Sequence, residues 1–125
     1  MIQTLLTVAL GGAIGASARY LVNVSVPRLM GHGFPYATMV VNILGSFLMG
    51  VLVVVLAQKS GTRFAPFVMT GILGGFTTFS AFSLDAAKLY EAGQLGAAAG
   101  YVIGSVVLAL AAIFAGMAFA RGFFA

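Results

Sequence analysis

Four apolar stretches, almost free of charge and each long enough to cross a membrane, take up nearly all of this chain. A helix needs about 20 mainly apolar residues to span the hydrocarbon core of a bilayer. Such stretches run from Gln3 to Val22, Tyr36 to Ala57, Pro66 to Leu89 and Leu95 to Ala120, each boundary being approximate. Between them lie residues that favour turns: Pro27, Gly31, Gly33 and Pro35, then Lys59-Ser60-Gly61, then Glu91-Ala92-Gly93. The spacing predicts an all-α membrane protein of four transmembrane helices. The whole of 1–125 forms one integral membrane domain, with nothing left over for a soluble unit. No sequence repeat relates the two halves. The long continuous runs also lack the two-residue alternation of a membrane β-barrel strand.

Composition removes several other classes. Charged residues make up 6% of the chain, against about 25% in a soluble domain, so a water-facing surface cannot be built. Hydrophobic residues at 62% exclude a disordered chain. With no cysteine, neither a disulfide scaffold nor a thiolate metal site can form. The net charge of +4 would suit a nucleic acid, but the six basic residues are scattered singly and form no stripe to track phosphates. The N-terminus lacks the Lys/Arg region of a secretory signal and runs straight into Arg19-Tyr20, so the first helix is expected to stay in the mature protein.

Orientation in a membrane follows Lys and Arg near the ends of the spans. Lys59, Arg63 and Arg121 fall on one side, and Arg19, Arg28 and Lys88 on the other. Three stand against three, so charge gives no instruction about insertion. Either other cues decide, or copies insert both ways and pair antiparallel.

Small residues recur at helix-packing spacing: Gly11 with Gly15, Ser46 with Gly50, and the overlapping Gly96, Gly100 and Gly104. In lipid, close backbone approach replaces the hydrophobic effect as the force between helices. Packing within one chain accounts for some of these. Four helices of this size nevertheless expose more surface than they can bury among themselves, and a homo-oligomer is expected.

Polar residues inside the spans carry the functional signal. Asn42 lies within Val40-Val41-Asn42-Ile43-Leu44 and must find a partner that hydrocarbon cannot supply. It serves either as interhelical glue or as a pore-lining donor offering two N–H hydrogens to an anion. Tyr101 and Ser105, four apart, share one helical face. Ser105 either bonds back to its own i−4 carbonyl or belongs to a hydroxyl row lining an ion path.

The third stretch is the unusual one. Gly74-Gly75-Phe76-Thr77-Thr78-Phe79-Ser80-Ala81-Phe82-Ser83 places poor helix formers in mid-span, which predicts a break. Backbone irregularity at membrane depth is tolerated only when buried or lining a cavity, and broken helices commonly offer freed carbonyls to a cation. Phe79 and Phe82, three apart, share a face. Their ring edges, which are positive, would suit an anion where the ring faces would repel it. Core packing is the ordinary role for such a pair, but the surrounding string favours function.

What is missing discriminates as well. A small four-helix proton-coupled exporter of another substrate, the main alternative, needs a carboxylate embedded in the membrane. The only acids are Asp85 and Glu91, both near the end of the third stretch, with Asp85 and Lys88 spaced as an i, i+3 pair. A scaffold bundle that transports nothing would leave the third-stretch string unexplained. No catalytic constellation or phosphate loop is present, and the lone His32 lies in the first connection, so the chain does not read as an enzyme.

These residues resemble the CrcB/Fluc fluoride channels over essentially the whole chain. Gly11-Gly12-Ala13-Ile14-Gly15-Ala16 leading to Arg19-Tyr20 is similar to that family's first-helix signature. Val41-Asn42-Ile43-Leu44-Gly45-Ser46-Phe47 is similar to its second, and the Gly74–Ser83 string to its third and most specific. The resemblance implies an antiparallel, dual-topology homodimer with two pores in a bacterial inner membrane, exporting cytoplasmic fluoride passively and selectively and so conferring fluoride resistance. It further implies that Phe79 and Phe82 are the paired pore phenylalanines, Asn42 the pore asparagine, and Tyr101 with Ser105 part of the polar track. The backbone carbonyls of Gly74 and Thr77 would hold a structural sodium ion on the dimer axis. Arg19 would draw anions toward a vestibule, although an interfacial arginine also reaches outward simply to meet water. The chain departs from the pattern at Ala109, one turn beyond Ser105 where another hydroxyl is expected, and at Ala81, where threonine is common. Fluoride is small and strongly hydrated, so neutral donors replacing its shell, with cations only at the mouths, suit conduction.

Overall fold

A computed structural model describes residues 1–31, 33–58 and 62–124. His32 and the Lys59-Ser60-Gly61 connection lie outside them. Among the described residues the secondary structure is entirely helical, and four helices are long and apolar enough to cross a membrane. These are α1 (Ile2–Met30), α2 (Tyr36–Gln58), a composite third span from Pro66 to Glu91, and α5 (Leu95–Phe124). The third span opens with a π-helical segment, Pro66–Leu73, continues as the single turn α3 (Gly74–Phe76), and finishes as α4 (Phe79–Glu91).

The first helix runs eight residues further than the apolar pattern suggests. Pro27, read from the sequence as part of a connection, lies inside α1. A proline removes one hydrogen bond, to the carbonyl four residues back. A 29-residue helix is about 43 Å long, more than the hydrocarbon core needs, so this defect falls near a helix end where water can compensate. The helix stops at Gly31, whose N–H bonds to the Pro27 carbonyl at 2.9 Å and whose φ of 91° is open to glycine at little cost.

Two close helix pairs build the molecule. Along α1, Gly11 and Gly15 are buried against the π-helical segment. A Cβ on Gly15 would run into the Ile72 carbonyl and come within 2.8 Å of the Phe76 nitrogen. Helices α2 and α5 pack through Gly50 and Gly116, set against the Ile113 and Phe47 carbonyls. The expected pairs Gly11/Gly15 and Ser46/Gly50 thus work within the chain, through Gly50 in the second case. Gly96 and Gly100 do not, for a Cβ on either meets nothing within 4 Å.

At one end Phe82, Leu89, Ala98 and Tyr101 form a buried cluster, against which Phe34 and Met39 pack. Elsewhere large apolar side chains face outward, among them Leu6, Leu10, Ile103, Leu110 and Phe114. Water would not tolerate so continuous an apolar exterior; lipid, or a further protein chain, would.

Candidate functional site

The backbone between α3 and α4 sets out the site. Helical turns stop at Phe76, and Thr77 (φ −85°, ψ 159°) and Thr78 (φ −156°, ψ 126°) are extended before helix resumes at Phe79. Threonine, branched at Cβ, accepts extended backbone readily, and here each threonine also finishes a helix end. Thr77 sends both its N–H and its hydroxyl to the Leu73 carbonyl, each at 2.9 Å. Thr78 caps α4, its hydroxyl oxygen accepting the Ala81 N–H at 3.1 Å.

The two extended residues leave the Thr78 N–H without a helical acceptor, and α2 supplies one, together with a donor for the Thr78 carbonyl. Asn42 Nδ2 donates to the Thr78 carbonyl at 3.0 Å, and Asn42 Oδ1 accepts the Thr78 N–H at 2.9 Å. A primary amide matches one donor and one acceptor at once, which is why asparagine suits this position. The sequence reading allowed Asn42 two free hydrogens for an anion. Only one remains, because the other is committed to Thr78.

Diverting these N–H groups has a second consequence. The Thr78 N–H would ordinarily close a turn on the Gly74 carbonyl, and the Ala81 N–H would do so on the Thr77 carbonyl. Their bonds to Asn42 and to the Thr78 hydroxyl leave both carbonyls without those helical donors. Between them, the Gly75 carbonyl accepts from Arg19 Nε at 3.1 Å. Arg19 is therefore bound to the interrupted helix rather than reaching away from the protein.

A cleft of about 310 Å³ opens beside this segment. Asn42, Ser46, Thr77, Thr78, Phe79, Phe82 and Ser105 line it, with Gly45, Met49, Val106, Ala109 and Ile113 as apolar wall. Of the residues singled out in the sequence, Asn42, Phe79, Phe82 and Ser105 meet here. The Phe79 and Phe82 ring centroids are 5.6 Å apart with planes tilted by 46°. Phe79 is 77% exposed while Phe82 is buried. No side chain lining the cleft is charged.

Ser105 is buried, and its hydroxyl has no hydrogen-bond partner among the described residues. It does not bond back to its own helix. A buried hydroxyl without a partner costs about 1–3 kcal/mol, a debt that a bound acceptor in the cleft would cancel. One turn on, Ala109 closes the hydroxyl row with a methyl group.

Tyr101 lies just behind the cleft, fully buried, its ring 5.1 Å from Phe82 and 5.5 Å from Phe34. Its hydroxyl donates to Asp85 Oδ2 at 3.2 Å, so the acid spaced for Lys88 takes its hydrogen bond from α5. The sequence reading does not include Thr38, which is buried on α2 one turn before Asn42, and takes Ser46, one turn after it, only for a helix-packing residue. The signal was available: Thr38, Asn42 and Ser46 recur at i, i+4 and i+8, a polar row within an apolar helix.

Comparison with known proteins gives concordant matches. A family model described as CrcB-like protein, Camphor Resistance (CrcB), matches residues 6–117. The chain is 69% identical over 125 residues, the full length of both chains, to a protein of Cereibacter sphaeroides named fluoride-specific ion channel FluC. Proteins with the same name from Paracoccus denitrificans and a Ruegeria species are 55% identical over 125 residues (all of both chains) and 58% identical over 123 residues (98% of each).

Proposed function

The chain belongs to the CrcB family, and from this premise and the chemistry of the cleft we propose that it is a fluoride-selective passive channel, a multi-pass membrane protein that lets fluoride out of the cell. The observation that carries the reading is the uncharged cleft in which Asn42, Phe79, Phe82 and the unpartnered Ser105 hydroxyl converge. A selective pore must replace a hydration shell with donors of its own. The remaining Asn42 hydrogen, the Ser105 hydroxyl and the N-terminal turn of α4, whose N–H groups carry partial positive charge, are such donors. Tyr101 extends this row beyond Phe82. A fixed cation inside would hold the ion too tightly to release it, and the cleft has none.

The working unit in this reading is a homodimer of antiparallel copies, with α3 and α4 acting as the two halves of a broken helix. Three features support it: the balance of three basic residues against three across the membrane, the outward Gly96 and Gly100 with nothing packed on them, and the apolar exterior. The Gly74 and Thr77 carbonyls fit a structural sodium ion at the interface. They are hard oxygen donors stripped of their helical N–H partners, and Gly74 is exposed on the surface of the single chain. Once bound, sodium would neutralise carbonyl dipoles from both copies and bind them together. Arg19, by engaging the Gly75 carbonyl, holds the first half of the third span in place, and its charge raises the local potential for an anion approaching the cleft.

The test is efflux from liposomes loaded with fluoride or with chloride. Fluoride is expected to leave far faster than from empty liposomes, with chloride retained. Fluoride loss no faster than from protein-free vesicles would sink the proposal.

A further inference from the structure

The cleft wall carries four side-chain hydroxyls, those of Ser46, Thr77, Thr78 and Ser105. Two are already engaged. Thr77 gives its hydroxyl to the Leu73 carbonyl, and Thr78 is held between the Ala81 N–H and the Ser80 hydroxyl, at 3.1 and 3.3 Å. The other two are Ser105 on α5 and Ser46 on α2. A serine or threonine inside a helix commonly returns its hydroxyl to the carbonyl four residues back, as Thr7 and Ser83 do here. Among the described residues Ser46 makes no such bond, nor any other, and it stands half-buried in the cleft wall. Its spacing with Gly50 suits helix packing, but Gly50 is the residue set against the Ile113 carbonyl.

The register of the two helices shows what lies across from it. Gly104 of α5 lies against the Met39 side chain of α2, and Gly50 of α2 against Ile113 of α5. Residue numbers rise together along both contacts, so α2 and α5 run parallel. One turn back from Gly50 and Ile113 come Ser46 and Ala109, and one turn further back come Asn42 and Ser105. Ser46 and Ala109 therefore line the cleft at the same level, from opposite helices.

That level is where donors otherwise run out. Ile113 lies eight residues beyond Ser105, about 12 Å along the helix. Over this length Ala109, Ile113 and Met49 offer an anion no hydrogen-bond donor. A strongly hydrated ion crosses an apolar wall only where donors replace its shell. The Ser46 hydroxyl falls in the middle of the interval.

Building on the fluoride reading above, we infer that Ser46 is an ion-coordinating residue: its hydroxyl, offered from α2, stands in for the one that Ala109 lacks on α5, and the anion passes between Ser105 and Ser46. The hydroxyl donates a hydrogen bond to the ion and keeps its proton. The row of donors thus continues across the cleft instead of along one helix.

Fluoride efflux from liposomes and thermal unfolding in detergent test this in Ser46→Ala, Ser46→Cys and the double variant Ser46→Ala/Ala109→Ser. Efflux in Ser46→Ala should fall about tenfold, the scale of one hydrogen bond to a charged partner. Its melting temperature should hold, since no protein hydrogen bond is lost. Ser46→Cys keeps the size but donates only weakly; its efflux should fall likewise, and it carries the test if the alanine variant does not fold. The double variant returns the hydroxyl to the same level from the other wall and should recover most of the lost efflux. A merely structural role would lower the melting temperature with efflux, and Ala109→Ser would not repair it. Unchanged efflux on losing the Ser46 hydroxyl, or no recovery in the double variant, overturns the inference while leaving the channel reading intact. Absence of fluoride efflux from the unaltered protein removes both.

Discussion

Asn42 and Thr78, 36 residues apart, are joined by two hydrogen bonds that use both ends of one side-chain amide and both backbone polar groups of one residue, at 3.0 and 2.9 Å. The amide does the work of a missing helical turn, and in doing so fixes where α4 begins relative to α2. Phe79 and Phe82 follow within four residues of Thr78, so this clamp sets the position of the two rings in the cleft. The glue and pore roles considered for Asn42 are therefore compatible: one Nδ2 hydrogen serves the backbone, and Asn42 is at the same time part of the cleft wall.

Asn42→Asp separates the two ends of that clamp. The carboxylate can still accept the Thr78 N–H, but its second oxygen is set against the Thr78 carbonyl, acceptor against acceptor. Leaving a buried group unsatisfied costs about 1–3 kcal/mol, and the added charge opposes an anion. Lowered thermal stability and fluoride efflux close to that of empty liposomes are expected. Efflux at the original rate would show that neither the clamp nor the charge matters.

Ser105→Ala removes a hydroxyl that has no partner in the described structure. No protein hydrogen bond is lost, so the melting temperature should hold or rise slightly. Fluoride efflux should nevertheless fall severalfold. A fall in stability with efflux unchanged would contradict the role given to Ser105.

Phe79 and Phe82 differ in what they contribute to the single chain. Phe79 is 77% exposed, while Phe82 is buried against Tyr101. Phe79→Ile should leave the stability of the monomer fold nearly unchanged, and Phe82→Ile should lower it by about 1–2 kcal/mol through lost aromatic packing. Both should slow fluoride efflux without dissociating the assembly, as judged by size-exclusion chromatography. Unchanged efflux in both variants would remove the rings from the mechanism.

The spans and the tight glycine contacts were legible because both are written in local periodicity: apolar length for the first, small residues four apart for the second. Features that depend on tertiary register were less so. Nothing near Asn42 in the sequence announces Thr78 as its partner, and Asp85 was paired with Lys88 because local spacing favours that contact, whereas α5 brings Tyr101 to it. The glycine spacing of Gly96 and Gly100 reads like that of Gly11 and Gly15, yet only the second pair has a neighbour in the same chain. Pro27 reads as a boundary because a proline disfavours helix interiors, but one lost hydrogen bond near a helix end does not stop a helix of this length. Thr38 belongs to a polar row on α2 that shows only when Thr38, Asn42 and Ser46 are taken together.

Gly15→Ala against Gly12→Ala tests the close approach of α1 to the third span. A Cβ on Gly15 collides with the backbone at Ile72 and Phe76, which cannot turn aside as a side chain can, whereas a Cβ on Gly12 meets nothing within 4 Å. Overpacking of this kind costs about 1–3 kcal/mol or more. Gly15→Ala should lower the melting temperature sharply or abolish monodisperse protein, and Gly12→Ala should behave as the original. Equal tolerance of both would mean that the helices stand further apart.

Dual insertion has a consequence that does not depend on ion flux. Gly33 lies in the connection between α1 and α2, and Arg63 in the turn Thr62–Phe64 between α2 and the third span; both are exposed. A four-span chain inserted one way would put these two positions on opposite sides of the membrane. The chain has no cysteine of its own, so Gly33→Cys and Arg63→Cys can each be labelled from outside intact cells with a thiol reagent that does not cross membranes. With copies inserted both ways, each variant should label to about half of the total reached after the membrane is opened. Full labelling of one and none of the other would assign a single orientation, leave the even split of basic residues without consequence for insertion, and remove the antiparallel dimer from the proposal.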